Sequence, residues 1–505
     1  MPLTPAACYR AVLARDPRHD GRFFTCVKTT GIYCRPICPA RPPKLENCSF
    51  VPTAAAAQAA GYRPCLRCRP ESSPDLDAWR GTSATVSRAL KLIESGALDG
   101  GTDADVTSLA NRLNIGDRHL RRLFAQHVGA APVTVAQTRR VLLAKQLLHQ
   151  TDLPMIDVAL ASGFGSVRRF NETFQHLYQR PPSDLRRRRR SNSATSVNNT
   201  EITLCLPYRP PYDWPAMLDF LRARAIAGME LVTDDDTYTR LIELAGQTGS
   251  LAVSHAPAQS ALRVIVRFPN LGALPAIITR VRRMFDLSAD PTAIANALAA
   301  DPLLAPRIAA HPGLRLPGAW DPFEIAVRAV LGQQITLKSA TQLVTQLVAA
   351  TAPSKPTPVE SDSSPHQLTH TFPRPEHLTA TALAHLKIPK SRAATLLALA
   401  TAAANDPHLF DPHPDLDQAT ARLRTIPGVG DWTAHYIAVR ALGETDAFPH
   451  TDAALLRNVS TALQRPITPT QLLARANRWR PWRAYALLHC WTPNKTAARP
   501  TPIPA

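Results

Sequence analysis

Between Trp79 and about Leu185 the apolar residues recur at helical spacing, with Gly and Pro as punctuation, which predicts a compact all-helical unit. Within it, residues 107–116 read as a short helix and tight turn, followed by a second helix over 117–127. Leu109, Leu113, Leu120, Leu123 and Phe124 form the inner face. Arg118, His119, Arg121 and Arg122 are left outside, a basic face of the sort that can enter a major groove. The pattern repeats: residues 156–164 lead into a helix carrying Phe170 and Phe174 inward and Arg168 and Arg169 outward. Further on, residues 202–206 and 262–268 alternate or cluster as strands, with an amphipathic helix over 214–225, so 201–288 reads as a small α+β domain. From about Asp290 the chain is Ala- and Leu-rich and helical to its end. A Pro/Ser/Thr stretch at 352–375 interrupts it as an exposed insertion loop.

These patterns divide the chain into a Cys-, Pro- and Arg-rich segment at 1–78, the helical unit at 79–190, a polar linker at 191–200, the α+β domain at 201–288, a helical domain at 289–495 and a disordered tail at 496–505. A length of 505 residues agrees with several domains. The formal charge of +19 points to an anionic partner, with nucleic acid the default for a basic soluble chain. The charge is uneven: 29 Lys/Arg stand against 15 Asp/Glu up to residue 190, and 29 against 24 beyond it. Five consecutive arginines, 186–190, end the helical unit, either as a solvated tail or as phosphate contacts. No secretory signal and no apolar run long enough for a bilayer is present, so a cytoplasmic chain with reduced thiols is expected and no membrane partner.

Reduced thiols favour metal over disulfides. Cys34 and Cys38 form C-x3-C, and after 26 residues Cys65 and Cys68 form C-x2-C. Two close pairs joined by a loop suit one tetrahedral Zn²⁺, which this segment needs in order to fold. Cys8, Cys26, Cys48, Cys205 and Cys490 read as small buried apolar residues. Four thiolates on Zn²⁺ carry a net charge of about −2 and usually serve structure, yet a zinc thiolate stays ionised at neutral pH and can attack an unhindered methyl carbon.

Near the C-terminus, residues 427–434 read Pro-Gly-Val-Gly-Asp-Trp-Thr-Ala. Gly428 and Gly430 allow a hairpin whose backbone N–H groups can approach a phosphate closely. A helix over about 434–442 follows, then Phe448-Pro449-His450-Thr451-Asp452, with Asp452 opening the next helix. A carboxylate there is held ionised by the helix dipole, and a lone Asp at a helix start is usually a cap.

Three resemblances gather these features. Residues 29–38 and 61–68 resemble the metal-binding domain of Ada-type methylation-response regulators, over residues 1 to about 75. The resemblance implies that Cys34 accepts a methyl group from a DNA methylphosphotriester, with Cys38, Cys65 and Cys68 as supporting ligands, and that Thr30, Arg41 and Arg63 contact the DNA backbone. A further family Arg is Pro39 here. Residues 84–187, with Gly163-Phe164 and Pro181-Pro182-Ser183, resemble AraC-type transcription regulators, which implies promoter DNA and RNA polymerase as partners.

Residues 200–493 resemble AlkA-type helix-hairpin-helix DNA glycosylases, through Pro210-Pro211-Tyr212-Asp213-Trp214, residues 283–287, 313–318 and 482–486. That resemblance implies Asp452 as the catalytic carboxylate, Phe220, Trp432, Tyr436 and Trp491 as lining of an alkylbase pocket, and alkylated double-stranded DNA as substrate. Gln334 falls where some members carry a Leu wedge, and Ala453 replaces a pocket aromatic. Bifunctional members carry a Lys nucleophile after the hairpin, and residues 391–494 contain no Lys, so hydrolysis without strand cleavage is expected. The Pro-Cys-His-Arg of an alkylguanine methyltransferase is absent. The alternative is a transcription regulator whose C-terminal half binds DNA without catalysis.

Overall fold

The computed structural model describes residues 3–73, 84–99, 105–186, 201–351, 368–411 and 415–492. Trp79, arginines 187–190, the linker 191–200, most of the insertion (352–367) and the tail 496–505 lie outside the described residues. Two compact units result, one of Met1–Tyr208 with Glu243–Arg282 and one of Arg209–Ile242 with Arg283–Ala505. The division falls inside the α+β segment expected at 201–288.

The first unit opens with α1 (Pro5–Ala14), capped by Thr4, whose hydroxyl accepts the Ala7 N–H at 3.3 Å. Strands β1 (Phe24–Val27), β2 (Ile32–Cys34), β3 (Cys48–Val51) and β4 (Arg63–Pro64) form one sheet in the order β3-β1-β2-β4, and α2 (Ala54–Ala59) packs on it. Phe24, Cys26, Tyr33 and Ala57 form a core between sheet and helix. With strands of two to four residues, no alternation could show in the sequence.

Helices α3 (Ala84–Glu94), α4 (Val106–Arg112), α5 (Asp117–His127), α6 (Pro132–Gln150), α7 (Met155–Ala161), α8 (Val167–Tyr178) and α9 (Pro182–Leu185) follow. The pairs α4–α5 and α7–α8 are the two helix-turn-helix units, and α6 joins them. Leu109, Leu113, Leu120 and Phe124 are buried together, with Leu123 packed against them, as expected. Between α7 and α8 the chain reverses at Gly163, with φ +87°, where a Cβ would lie 3.3 Å from Asp99 Oδ2.

Helix α6 also binds the cysteine-bearing module. Lys145, wholly buried, donates to Glu71 Oε2 at 2.7 Å and to the Cys65 carbonyl at 2.9 Å. Thr138 donates to Gln58 Oε1 of α2 at 2.8 Å, and Thr53 to the Val128 carbonyl at 2.9 Å. Removing one partner of a buried ion pair leaves the other charge uncompensated. Lys145→Met is therefore expected to destabilise this unit by about 3–5 kcal/mol, and pairing it with Glu71→Leu to recover most of the loss. Urea denaturation of the zinc-loaded chain measures both.

Strand β5 (Glu201–Pro207) lies at the end of a sheet and pairs antiparallel with β9 (Ala261–Arg267), which pairs with β8 (Gln247–Ala256). An end strand has unpaired backbone groups to satisfy. Two glutamines of α6 supply part of this: Gln146 donates to the Cys205 carbonyl at 3.0 Å, and Gln150 accepts the Cys205 N–H at 2.9 Å. Cys205 and Cys48 are accordingly half-buried, not core residues, whereas Cys8, Cys26 and Cys490 are buried as expected.

The second unit holds α10 (Trp214–Arg222), β6 (Glu230–Val232) and, up to Ile242, its antiparallel partner β7 (Tyr238–Leu244). After α11 (Leu274–Met284), where the division falls, it is helical: α12 (Pro291–Leu298), α13 (Ala305–Ala310), α14 (Pro322–Leu331), α15 (Leu337–Thr351), α16 (Ala380–Ala384), α17 (Lys390–Asn405), α18 (Leu416–Arg424), α19 (Asp431–Ile437), α20 (Ala453–Leu463), α21 (Pro469–Ala476) and α22 (Arg483–Trp491). Asp290, Asp321 and Thr468 cap α12, α14 and α21, each followed by a Pro that suits the first helical turn. Helix α14 packs on α17 and α19, and its buried Glu324 pairs with Arg240 at 2.9 Å and Arg328 at 2.7 Å. Among the described residues no helix is long and apolar enough to cross a membrane.

Candidate functional site

The four predicted ligands converge. The sulfurs of Cys34, Cys38, Cys65 and Cys68 all lie within 4.8 Å of one another, Cys34 at the end of β2 and Cys65 just after β4. A tetrahedral zinc with Zn–S of about 2.3 Å needs sulfurs about 3.8 Å apart, so this donor set fits one Zn²⁺. Four thiols this close share protons. Their mutual hydrogen bonding draws Cys38 down to about 7 and Cys65 further down and pushes Cys34 and Cys68 up. A dication relieves that crowding by taking the place of the shared protons.

The sulfurs are not equivalent. Cys65 and Cys68 are buried, and their sulfurs accept the N–H groups of Arg67 and Arg35, both at 3.3 Å. Cys38 is half-exposed and takes a backbone hydrogen bond from Ala40. Cys34 is half-exposed, and among the described residues no backbone N–H reaches its sulfur. A thiolate that donates less of its charge to hydrogen bonds remains the better nucleophile. Arg35 does not face outward: its guanidinium pairs with Asp20 and donates to the Cys68 carbonyl at 3.1 Å and to Ser72 Oγ at 2.7 Å, tying the first ligand pair to the chain just after the second. Thr30 and Arg41 are exposed and Arg63 half-exposed.

On α5, Arg118, Arg121 and Arg122 are exposed, as are Arg168 and Arg169 on α8. Arg168 pairs through Nε with Glu172 at 2.7 Å, which leaves the rest of its guanidinium exposed.

In the second unit, Ile426 and Val429 are buried and anchor the hairpin, leaving Gly428 and Gly430 exposed between α18 and α19. Gly428 has φ +83°, and a Cβ there would lie 1.8 Å from Thr395 Oγ1. Gly428→Ala is therefore expected to distort the hairpin at a cost of about 1–3 kcal/mol and to weaken DNA binding, read by anisotropy at fixed salt. The Gln333 amide donates to the Gly428 carbonyl at 3.2 Å and to Thr433 Oγ1 at 3.0 Å. Gln334 beside it is exposed with φ +57°. The predicted wedge position is thus tethered to the hairpin through its neighbour, a link sequence reading missed.

Helix α19 begins at Asp431, three residues before the expected start, and passes into a π-helical turn over Ala438–Leu442. Asp452 caps α20: its Oδ1 accepts the Leu455 N–H at 2.8 Å. The indole N–H groups of Trp432 and Trp491 reach the same carboxylate, at 2.9 Å to Oδ2 and 3.1 Å to Oδ1. Trp432 stacks on Tyr436 with ring centroids 5.3 Å apart, and Trp491 tilts against Tyr436 at 6.2 Å.

Phe220 stands differently. The Arg224 guanidinium lies 3.6 Å from its ring centroid and that of Arg440 4.6 Å, so the protein's own cations already engage this ring. Arg440 also donates to the Tyr436 hydroxyl at 3.2 Å. Burial pushes the Tyr436 phenol up, but Arg440, Arg224 and Arg328 outweigh burial and hold it below its ordinary range. Arg224 and Arg440 are the residues sequence reasoning passed over. Each sits four places after a predicted pocket aromatic on a helical stretch, which was the available signal. Ala453 is exposed at the start of α20.

Comparison with known proteins matches each part of the chain. Residues 7–71 match the metal binding domain of Ada, 109–188 a helix-turn-helix domain, and 203–321 the AlkA N-terminal domain. The chain is 34% identical over 290 residues to DNA-3-methyladenine glycosylase 2 of Escherichia coli, covering 57% of this chain and 95% of that one. It is 38% identical over 146 residues to the bifunctional transcriptional activator/DNA repair enzyme Ada of Escherichia coli, covering 29% and 39%. To the probable bifunctional transcriptional activator/DNA repair enzyme AlkA of Mycobacterium tuberculosis it is 42% identical over 487 residues, covering 96% of this chain and 95% of the relative. With identity of that level sustained along almost the whole of both chains, the protein belongs to the family of bifunctional transcriptional activator/DNA repair enzymes of the AlkA kind.

Proposed function

We propose that this chain senses and removes DNA alkylation: Cys34 accepts methyl groups from methylphosphotriesters, the tandem helix-turn-helix unit then activates promoters through RNA polymerase, and the C-terminal unit hydrolyses the glycosidic bond of 3-methyladenine and related bases. The observation that carries the enzymatic reading is the Asp452 carboxylate at the N-terminus of α20, a short way beyond the glycine hairpin and bonded by two pocket indoles.

Zinc, when bound, keeps the four sulfurs ionised at neutral pH. Cys34 Sγ forms a bond to the methyl carbon, the C–O bond breaks, and the phosphodiester leaves with the electron pair. One negative charge is lost from the module, and a less anionic face meets less repulsion from phosphate. Thr30, Arg41 and Arg63 hold the backbone during transfer, and Arg118, Arg121, Arg122, Arg168 and Arg169 read the promoter.

In the glycosylase unit the hairpin amides of Gly428 and Gly430 grip phosphate and Gln334 fills the gap left by the extruded nucleotide. Trp432, Tyr436 and Trp491 surround the base, whose positive charge suits electron-rich rings. Asp452 stabilises the cationic sugar as the C1′–N bond breaks, the base departs with the electron pair, and water completes hydrolysis. The absence of Lys over 391–494 supports hydrolysis without strand cleavage.

Incubating the chain with methylated duplex DNA tests both halves. Free 3-methyladenine should appear without strand nicks, and labelled methyl should remain on the protein. Promoter footprints should strengthen after exposure to methylphosphotriester DNA. A chain that footprints but releases no base would be a regulator whose second half only grips DNA.

A further inference from the structure

An N-cap aspartate needs one backbone donor, and Asp452 has three N–H donors from three elements. Oδ1 accepts the Leu455 N–H of α20 and the indole N–H of Trp491, the last residue of α22. Oδ2 accepts the indole N–H of Trp432, the second residue of α19. Capping explains the first contact alone. The two indoles are themselves fixed by Tyr436, against which Trp432 stacks at an interplanar angle of 23° and Trp491 tilts at 46°. Three aromatic rings on two helices thus form a frame that turns two N–H edges onto one carboxylate.

A ring serving only as apolar area or as a π face has no use for that edge, because what separates indole from the phenyl ring of Phe, besides size, is its donor N–H. A carboxylate offers about four lone-pair sites. Three are filled among the described residues, two on Oδ1 and one on Oδ2, so a single site on Oδ2 is left to meet a reacting group.

We propose that Trp432 and Trp491 are positioning residues: their N–H groups clamp the Asp452 carboxylate, one on each oxygen, and present the remaining Oδ2 lone pair in a fixed direction. This rests on the reading of Asp452 as the catalytic carboxylate and adds to it the device that pre-organises it. Such a device acts on the bond-breaking step and leaves DNA affinity alone, because an oriented charge needs no rearrangement as the sugar becomes cationic.

The test compares Trp432→Phe, Trp491→Phe and Asp452→Asn in the full chain, by steady-state and single-turnover release of 3-methyladenine and by affinity for abasic duplex. At positions 432 and 491 benzothienylalanine, a two-ring isostere without the N–H, is introduced as well. Each Phe variant and each isostere should lower kcat by about ten- to a hundredfold, the range for losing a hydrogen bond to a charged group, with abasic-DNA affinity within about twofold and, in the isosteres, which keep both rings against the base, KM within about twofold as well. Isosteres that keep full kcat, or Phe variants that raise KM at unchanged kcat, would mean the rings serve by stacking and would overturn the clamp. If Asp452→Asn itself still releases base, the reading of Asp452 fails. If only the Trp variants keep their rate, the clamp fails alone.

Discussion

Asp452→Asn should bind alkylated duplex with nearly the affinity of the parent chain and release 3-methyladenine on the order of a thousandfold more slowly. The amide keeps the size of the carboxylate, and its oxygen can still accept the Leu455 N–H, so α20 keeps its cap. What is lost is the negative charge, the one feature of the side chain that a forming sugar cation requires. The neighbours make the loss worse. With the amide oxygen turned to Leu455 and Trp491, the –NH₂ group meets the Trp432 indole N–H, donor against donor, where the carboxylate accepted it at 2.9 Å. DNA affinity depends on other groups, namely the hairpin glycines and the basic surface, so anisotropy titration should shift by no more than about threefold. Free base quantified by chromatography checks the rate, and release at the parental rate would remove Asp452 from the chemistry.

The sequence made local features legible and hid those that depend on distant partners. Helix α5 runs over the expected residues because an amphipathic face with Leu120 and Phe124 inward begins directly after Gly116. The metal ligands were readable because thiolate spacing is itself geometry. The sheet around them was not: β1 to β4 are shorter than the window in which alternation shows. Nothing local marks Lys145 as buried: its burial depends on Glu71, 74 residues away. Gln146 and Gln150 likewise serve the backbone of Cys205, which no local pattern announces. Phe220 was read as a pocket ring on resemblance alone. Its neighbours Arg224 and Arg440 change its chemistry, because a ring already engaged by two guanidiniums offers less attraction to a cationic base.

Along α6 the cysteine-bearing module is bonded directly to the helical unit. Lys145 bonds the carbonyl of the ligand Cys65 from the helix that joins both helix-turn-helix pairs. The ligand loop and the reading unit therefore share one buried charge pair, and the module cannot shift without moving α6 or breaking it.

Cys34→Ala should separate the chemical role of that module from its electrostatic one. Methyl transfer should vanish, since the remaining half-exposed sulfur, Cys38, is drawn into a backbone hydrogen bond and the other two are buried. The module should stay folded on zinc, held by Cys38, Cys65 and Cys68 and by the separate cores around Phe23 and Tyr33. Deleting one thiolate also reproduces the charge change that methylation brings, from about −2 to about −1 at the metal centre. The unmethylated variant should therefore bind promoter DNA more tightly than the unmethylated parent, by about 1 kcal/mol or roughly fivefold at low salt, with the gap closing as salt rises. Radiolabelled methyl capture measures the first effect and anisotropy across a salt series the second. A variant that loses transfer yet binds promoter DNA no better than the unmethylated parent would show that charge at the metal centre is not what the DNA-reading unit responds to.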